Sequence, residues 1–385
     1  MLRESKEKQT IPAKTLLIIA GAFFIFAILF LILKSKTGFS LDQKFSQSKR
    51  MPILFSVLGD KEEYLFSLYA EFYPNERKAA LFFVNPKTSF DDGEKSLKEK
   101  GNSAPSYVES VLEDTLDSNI PFKIVWTKEQ FQNWVNLLGG LQLFFEPKSL
   151  HITKNYNRNK ESYVLDGEDC FDWMSSLSDD SMISYFRRLE IQETVMLTLF
   201  ETIHEKRDSL SKQKLTYLHG QMTTNLSSKE WETLIDFLKK EKIQFGVSEV
   251  PGEPVLRPKY KDQILKANEE TIKVAFYKFS GELRSPSFSE GERARIEVLN
   301  GTAKNGLARY GKVLLNDKGL KVLTVDNAWD SNFKSTVILN RSGNTQYTDL
   351  ISETFQGRKV FFSLRKDLGL DATVILGEDF QNSKD

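Results

Sequence analysis

The chain is poor in the residues that build disulfides and metal centres. Its 385 residues include one cysteine, Cys170, and three histidines. A single cysteine excludes a disulfide within the chain and any zinc site made of several cysteines. The histidines are scattered along the sequence, so we do not expect a histidine-rich metal site.

The chain also lacks an excess of charge of either sign. Lysine and arginine together number 53, and aspartate and glutamate together also number 53. Proteins that bind nucleic acid usually carry a marked basic excess on one face or in one domain. The charge balance therefore predicts no nucleic-acid partner.

One long segment has no charge at all. Residues 15–33 contain no charged side chain, and Lys14 and Lys34 flank them. As a helix they would extend about 28 Å, close to the hydrocarbon thickness of a bilayer. A cleaved signal peptide is the alternative, but its apolar part would be shorter and would end at a small-residue cleavage site. The segment therefore predicts an uncleaved membrane anchor.

Basic residues lie on both sides of this segment. A short basic tail before a first helix usually stays in the cytoplasm, and a long domain crosses regardless of its charge. We therefore expect a cytoplasmic tail (1–14), an anchor in the cytoplasmic membrane (15–33) and a stalk (34–50). The bulk of the chain would be extracytoplasmic or periplasmic.

After residue 50, strand patterns alternate with helix patterns. Short apolar runs predict strands at 52–58, 64–72, 78–84, 122–126, 141–147, 294–300, 321–327, 335–340 and 371–380. Apolar periodicity and caps predict helices at 107–116, 127–138, 179–206, 227–238, 307–319 and 346–355. Polar stretches at 86–103 and 251–259 are expected to be loops.

This alternation predicts an α/β fold in two parts. A layered α/β domain is expected over residues 51–279, and a small α/β domain over 293–380. Residues 280–292 are rich in serine, glycine, proline and glutamate, and they predict a linker.

The longest predicted helix places a charged side chain on its apolar face. Arg188 lies seven residues before Val195 and four before Gln192, so the three share one face. Such a charge either marks the opening of a cleft or belongs to an arginine that snorkels at a helix end. The sequence alone leaves both interpretations open.

The C-terminal residues resemble a known domain. RIEVLNGTAKNGLARYGKVLLNDKGLKV (295–322) and VILGEDF (374–380) are similar to the opening and closing motifs of the LytR C-terminal domain. The resemblance covers nearly all of residues 293–380.

The preceding domain resembles the LytR-CpsA-Psr family more distantly. Short motifs occur in the family's order: VLGD (57–60), VNPKTSF (84–90), LGGLQLFF (138–145), LDGEDCFDWMS (165–175), RLEIQ (188–192) and TTNLSSKEW (223–231). The resemblance implies a cell-envelope protein, similar to transferases that move a glycopolymer from a polyprenyl-pyrophosphate carrier onto peptidoglycan. Its implied partners are the lipid bilayer, the lipid-linked glycan and peptidoglycan.

In such chemistry, arginines clamp the pyrophosphate, and carboxylates hold a magnesium-like ion or accept a proton. The resemblance implies catalytic roles for Arg188, Lys87 and Asp60. It implies substrate binding by Arg187, Gln192 and Lys61. It implies that Asp60 and Glu63 hold Mg²⁺.

Three positions depart from the family pattern. Lys87 stands where arginine is usual and supplies a point charge without a fork, while Ser175 and Ile191 occupy two other arginine positions.

Three hypotheses on the function stay open. The protein could be a divergent transferase or a pyrophosphatase of lipid-linked pyrophosphate. It could be a non-catalytic envelope protein that binds lipid-linked glycan or peptidoglycan. It could be a scaffold whose C-terminal domain binds protein partners.

Overall fold

The computed structural model describes residues 50–90, 93–146, 162–240, 242–285 and 294–380. The predicted membrane anchor and nearly all of the predicted stalk lie outside the described residues. Within the described ranges, no helix combines the length and the apolar character needed to cross a membrane.

The first domain combines strands and helices along the whole of its length. Its strands are β1 (Met51–Leu58), β2 (Tyr64–Tyr73), β3 (Lys78–Val84), β4 (Thr88–Ser89), β5 (Phe122–Trp126), β6 (Leu141–Phe144), β7 (Ser162–Leu165), β8 (Thr223–Thr224), β9 (Gln244–Glu249), β10 (Glu253–Arg257) and β11 (Asp262–Lys266). Its helices are α1 (Leu97–Lys100), α2 (Ala104–Leu116), α3 (Lys128–Leu137), α4 (Gly167–Ser175), α5 (Met182–Glu205), α6 (Lys212–Gly220), α7 (Ser228–Lys240) and α8 (Glu269–Arg284).

A six-stranded mixed sheet forms the centre of this domain, with the order β8-β5-β1-β2-β3-β9. Strand β1 is parallel to β5, and β3 is parallel to β9, whereas β2 runs antiparallel between β1 and β3. The carboxyl ends of β1, β3, β5 and β9 therefore lie at one edge of the sheet. In many open α/β sheets, ligands bind at this edge.

Both faces of the central sheet are covered by helices, because its strands are apolar on both sides. Phe55 of β1 faces a core built with α3, α4, α5 and α7. Leu54, the next residue, points to the other side, where α2 and α8 pack. The predicted layered α/β arrangement is confirmed.

Capping boxes form at two of the predicted helix starts, residues 127 and 227. The Thr127 hydroxyl accepts a hydrogen bond from the Gln130 amide at the start of α3, and the Gln130 side chain accepts one from the Thr127 amide. Ser227 and Glu230 make the same reciprocal pair at the start of α7. Each box satisfies two backbone donors at a helix start that otherwise have no intrahelical partner.

Three sequence predictions differ from the structure. The predicted loop at 251–259 contains β10, which pairs antiparallel with β11. The predicted loop at 86–103 contains β4 and α1. The predicted linker begins too early, because α8 continues to Arg284 and buries Leu283. Proline and charged residues hide β10 in the local composition. Strand β4 pairs with the distant β11, and Leu283 packs into a core with residues of β2 and β3, which local composition does not reveal.

The second domain is a five-stranded sheet with two long helices. Its elements are β12 (Ile296–Asn300), α9 (Leu307–Asp317), β13 (Val322–Asn327), β14 (Val337–Asn340), α10 (Thr345–Thr354), β15 (Val360–Phe362) and β16 (Ala372–Leu376). The strand order is β13-β12-β16-β14-β15, and only the β14–β16 pair is antiparallel. Strand β15, three residues long, is absent from the sequence prediction.

Candidate functional site

Helix α5 carries the charged side chain that the sequence analysis singled out. The helix starts at a Ser181 cap, whose hydroxyl accepts a hydrogen bond from the Ser184 amide. Arg188 lies in the second turn and is only 3% exposed, and Gln192 is fully buried. The snorkelling interpretation is therefore wrong, because the guanidinium group is inside the protein.

The Arg188 guanidinium has few partners for a buried cation. Its Nη1 donates one long hydrogen bond, 3.4 Å, to the Ser175 carbonyl oxygen at the end of α4. Its Nε and Nη2 find no acceptor among the described residues, and neither does the Gln192 Oε1 find a donor. Burial lowers the pKa of Arg188. Buried unpaired N–H groups each cost about 1–3 kcal/mol of stability. An anion that accepted hydrogen bonds from these two nitrogens would remove that cost.

A second buried cation lies beside Arg188. Lys87 follows β3 and is 4% exposed. Its Nζ lies 3.4 Å from Asp180 Oδ2 and 3.7 Å from Asp262 Oδ2. The Lys87 Nζ and the Arg188 guanidinium carbon both lie 4.8 Å from the centre of the Tyr185 ring. The ring therefore holds two cations from distant parts of the chain.

A third cation, Lys98 of α1, reaches the same tyrosine. Its Nζ donates a 2.8 Å hydrogen bond to Tyr185 Oη and lies 3.8 Å from Asp180 Oδ1. The Asp180 carboxylate, 63% exposed, thus stands between Lys87 and Lys98. Three positive side chains surround Tyr185 on the edge where β3 ends.

The Asp180 carboxylate is kept ionised by its neighbours. Its burial would raise its pKa, but a 2.9 Å hydrogen bond from Tyr185 Oη and the charges of Lys87 and Lys98 outweigh that effect and lower the pKa. Burial and the contact with Asp180 raise the pKa of Tyr185. A carboxylate held by two lysines occupies a place that a phosphate oxygen could take.

An outer set of charges supports Lys87. Asp262 accepts hydrogen bonds of 2.9 and 2.6 Å from Arg257, a paired contact across the β10–β11 hairpin. Arg257 Nη1 also donates to Glu99 of α1 at 2.8 Å. This network ties the hairpin and α1 to the side chain of Lys87.

Three other predicted site residues do not contact the Arg188–Lys87 pair. The Asp60 side chain is 76% exposed and accepts a 3.1 Å hydrogen bond from Lys128 Nζ. Lys61 is exposed and has a left-handed backbone, with φ of 54°. Arg187 is exposed and lies about 100° around the helix axis from Arg188. A hydrogen bond from Arg365 and the charge of Arg187 help to lower the pKa of Asp367.

The predicted magnesium ligands do not form a metal site on their own. Asp60 is paired with Lys128, and Glu63 lies 3.9 Å from Lys98 Nζ. Among the residues that the structure describes, no three His, Cys, Asp or Glu side chains lie close enough together to hold a cation. Two exposed carboxylates that each face a lysine do not fit a resident divalent ion.

The sequence analysis missed Tyr185, Lys98, Asp180 and Asp262. A helical signal for Tyr185 was available, since it precedes Arg188 by three residues and shares its face. Asp180 precedes the start of the same helix. Nothing local could identify Lys98 or Asp262, because the folded chain alone brings them to Tyr185 and Lys87.

Residues 293–380 match the model of a protein family described as "LytR cell envelope-related transcriptional attenuator". The second domain is a LytR C-terminal domain. The match confirms the resemblance that the motifs at 295–322 and 374–380 predicted. Among proteins with curated functions, none matches the chain significantly.

Several solved structures are similar to the chain over about 60% of its length. Protein gbs0355 from Streptococcus agalactiae has 15% identity and a TM-score of 0.49, with 63% of this chain and 91% of that chain covered. "TagT bound to LI-WTA" has 15% identity and a TM-score of 0.48, covering 60% and 90%. "LytR-CPS2A-psr family protein YwtF (TagT) with bound octaprenyl pyrophosphate lipid" has 14% identity and a TM-score of 0.45, covering 60% and 90%. Similarities at this level do not decide the function of this chain.

Proposed function

We propose that this chain is a membrane-anchored cell-envelope protein that binds a polyprenyl-pyrophosphate-linked glycopolymer outside the cytoplasmic membrane. The pyrophosphate would lie at the site formed by Arg188, Lys87 and Lys98. Residues 15–33 would anchor the chain in the bilayer, and the folded domains would lie on the extracytoplasmic side, where peptidoglycan is the acceptor.

One observation carries this proposal. Arg188 is a cation with 3% exposure whose Nε and Nη2 find no acceptor among the described residues. A stable fold rarely leaves a buried charge without hydrogen-bond partners unless a bound ligand supplies them. An anionic oxygen would accept from both nitrogens at once, as phosphates commonly do with arginine.

The chemistry of the neighbouring side chains favours a pyrophosphate. Lys87 and Lys98 already hold one carboxylate, that of Asp180, at 3.4 and 3.8 Å. Two phosphate groups could engage Arg188 and this lysine pair together. The polyprenyl carrier itself is proposed from the family resemblance of the sequence motifs.

Transfer onto peptidoglycan would use the same cations. The peptidoglycan hydroxyl would attack the glycan-linked phosphorus, the P–O–P bond would break, and the cations would stabilise the charge that grows on the departing polyprenyl phosphate. A carboxylate that removes a proton from the attacking hydroxyl is also needed, and Asp60 is the residue implied by the resemblance.

The alternative is a non-catalytic protein that binds lipid-linked glycan, peptidoglycan or a protein partner. The position of Asp60, which is exposed and paired with Lys128, favours this alternative. Binding and transfer therefore need separate measurements.

The test uses the full-length chain in detergent, with farnesyl pyrophosphate as the probe and titration calorimetry as the measurement. Inorganic pyrophosphate and farnesol separate the contribution of the phosphates from that of the lipid, and each titration is run with and without Mg²⁺. Arg188→Met removes the buried cation. Arg187→Met is the matched control, because Arg187 is the adjacent arginine but is exposed.

We expect Arg188→Met to weaken farnesyl pyrophosphate binding about a hundredfold or more, since two charged hydrogen bonds would be lost. Arg187→Met should bind as the wild type does. Release of phosphate from the probe in the same samples would establish pyrophosphatase activity, and transfer is measured with a glycan-linked polyprenyl pyrophosphate and peptidoglycan. Binding without either reaction would establish the non-catalytic alternative. Absence of binding by the wild type, or equal loss in both variants, would refute the proposed site.

A further inference from the structure

The LytR C-terminal domain contacts α5 on the side turned away from Arg188. The Glu190 carboxylate accepts a 2.8 Å hydrogen bond from the Lys366 amide, and the Thr194 hydroxyl accepts one of 3.1 Å from the Leu364 amide. Lys366 Nζ lies 2.6 Å from Glu193 Oε1. At about 100° per residue, these three positions of α5 lie about 120–160° around the helix axis from Arg188.

The contact joins an ammonium group to two carboxyl groups, one of them fully buried. Lys366 Nζ also pairs with Glu249 of β9, so one ammonium group joins α5, the central sheet and the C-terminal domain. Glu193 has no exposed surface. Burial, together with the charges of the nearby Glu249 and Glu190, raises the pKa of Glu193 to about 8 against the opposing charge of Lys366.

Apolar packing makes the contact rigid. Phe362 and Leu364 of the C-terminal domain belong to the same core as Val195 and Leu199 of α5. A domain that contributes side chains to another domain's core is docked, not tethered.

The opposite side of α5 is held by the end of α4. Arg188 and Gln192 donate to the carbonyl oxygens of Ser175 and Met174, at 3.4 and 3.1 Å. Helix α5 is therefore clamped between α4 on the Arg188 side and the C-terminal domain on the Glu193 side. A shift of the helix toward either neighbour would move the guanidinium group.

We propose that the C-terminal domain sets the position of Arg188 through the contact of Lys366 with Glu193 and Glu249. Lys366 is then a positioning residue for the anion site, and undocking of the C-terminal domain weakens the site. The inference rests on the proposed function, because it assigns the domain a regulatory role at that same site.

The test compares Lys366→Met with Lys334→Met in the full-length chain. Lys334 pairs with Glu378 inside the C-terminal domain, at 2.7 Å, and is remote in sequence from the docking contact. Two quantities are measured: amide hydrogen exchange of the α5 segment 185–192, and affinity for farnesyl pyrophosphate.

We expect Lys366→Met to speed exchange in this segment and to weaken binding about three- to tenfold, a usual size for coupling between sites. Lys334→Met should change neither. Unchanged exchange and affinity in Lys366→Met would overturn the inference. If the wild type does not bind the probe, the proposed function fails, and the exchange data alone decide whether Lys366 holds the helix.

A pH profile separates positioning from general stability and serves if Lys366→Met does not fold. The groups around Glu193 are Glu190 on its own helix, Glu249 on β9, and Lys366 and Asp367 of the C-terminal domain. A carboxyl with a raised pKa stabilises the docked state at low pH, and this contribution is lost as the pH rises through about 8. Affinity of the wild type should therefore fall relative to Glu193→Gln as the pH rises from about 4.5, the ordinary pKa of a glutamate, to about 8, and the two profiles should run parallel above that. Parallel profiles of the two proteins between these two pH values would overturn the inference.

Discussion

The buried charge of Arg188 should destabilise the ligand-free protein. Replacing Arg188 by an apolar side chain of similar length should therefore stabilise the fold. The residue is 3% exposed, its one hydrogen bond is 3.4 Å long, and two of its nitrogens are unpaired among the described residues. Methionine would keep the packing of the stem and remove the buried charge.

The magnitude follows from these contacts. Two unpaired donors cost about 1–3 kcal/mol each, and the cation–π contact with Tyr185 returns about 0.5–2 kcal/mol. We therefore expect Arg188→Met to gain about 1–3 kcal/mol, consistent with the effect of replacing buried ionic groups by apolar ones.

Arg341 supplies the matched control. It is 2% exposed, but it pairs with Glu146 and donates to Thr373 Oγ1 at 3.0 Å and to the Ser363 carbonyl oxygen at 3.1 Å. Arg341→Met leaves the Glu146 charge without this buried partner and should lose about 3–5 kcal/mol.

The assay is thermal unfolding of the full-length chain followed by near-ultraviolet circular dichroism, without ligand. The midpoint should rise by a few degrees for Arg188→Met, at about 2–4 °C per kcal/mol for a domain of this size, and should fall for Arg341→Met. A fall of similar size in both variants would refute the reasoning, because it would mean that Arg188 is a structural cation with partners in the resting protein.

Two further predictions concern the first domain. Gly167→Ala should lower the thermal midpoint by an amount equivalent to about 1–3 kcal/mol, because the new Cβ would lie 2.1 Å from the Gln132 carbonyl oxygen. The control is Gly220→Ala, whose new Cβ would meet no atom within 4 Å. Equal midpoints for the two variants would contradict the prediction. Asp180→Asn should strengthen farnesyl pyrophosphate binding several-fold in low salt, because it removes the anion that competes for Lys87. The gain in affinity should shrink as salt is added. Weaker binding would contradict the prediction and show that the Asp180 carboxylate helps to bind the ligand.

Local patterns in the sequence determined most of the secondary structure. Strands β1 to β3 were predicted from their apolar runs, and the helix starts at Thr127 and Ser227 from their capping boxes. Helical periodicity placed Arg188 on the apolar face of α5, and the structure decided that its guanidinium group is buried. These features depend on residues a few positions apart, so the sequence displays them directly. The motifs of residues 293–380 likewise identified the LytR C-terminal domain.

The tertiary structure alone decided which charged residues meet. Lys87 and Arg188 are about a hundred residues apart, yet both lie against the ring of Tyr185. Asp60, a predicted partner, faces Lys128 instead. Lys366 reaches Glu193 from another domain. Such contacts depend on how strands pair and helices pack across long loops, and no local period in the sequence records that arrangement.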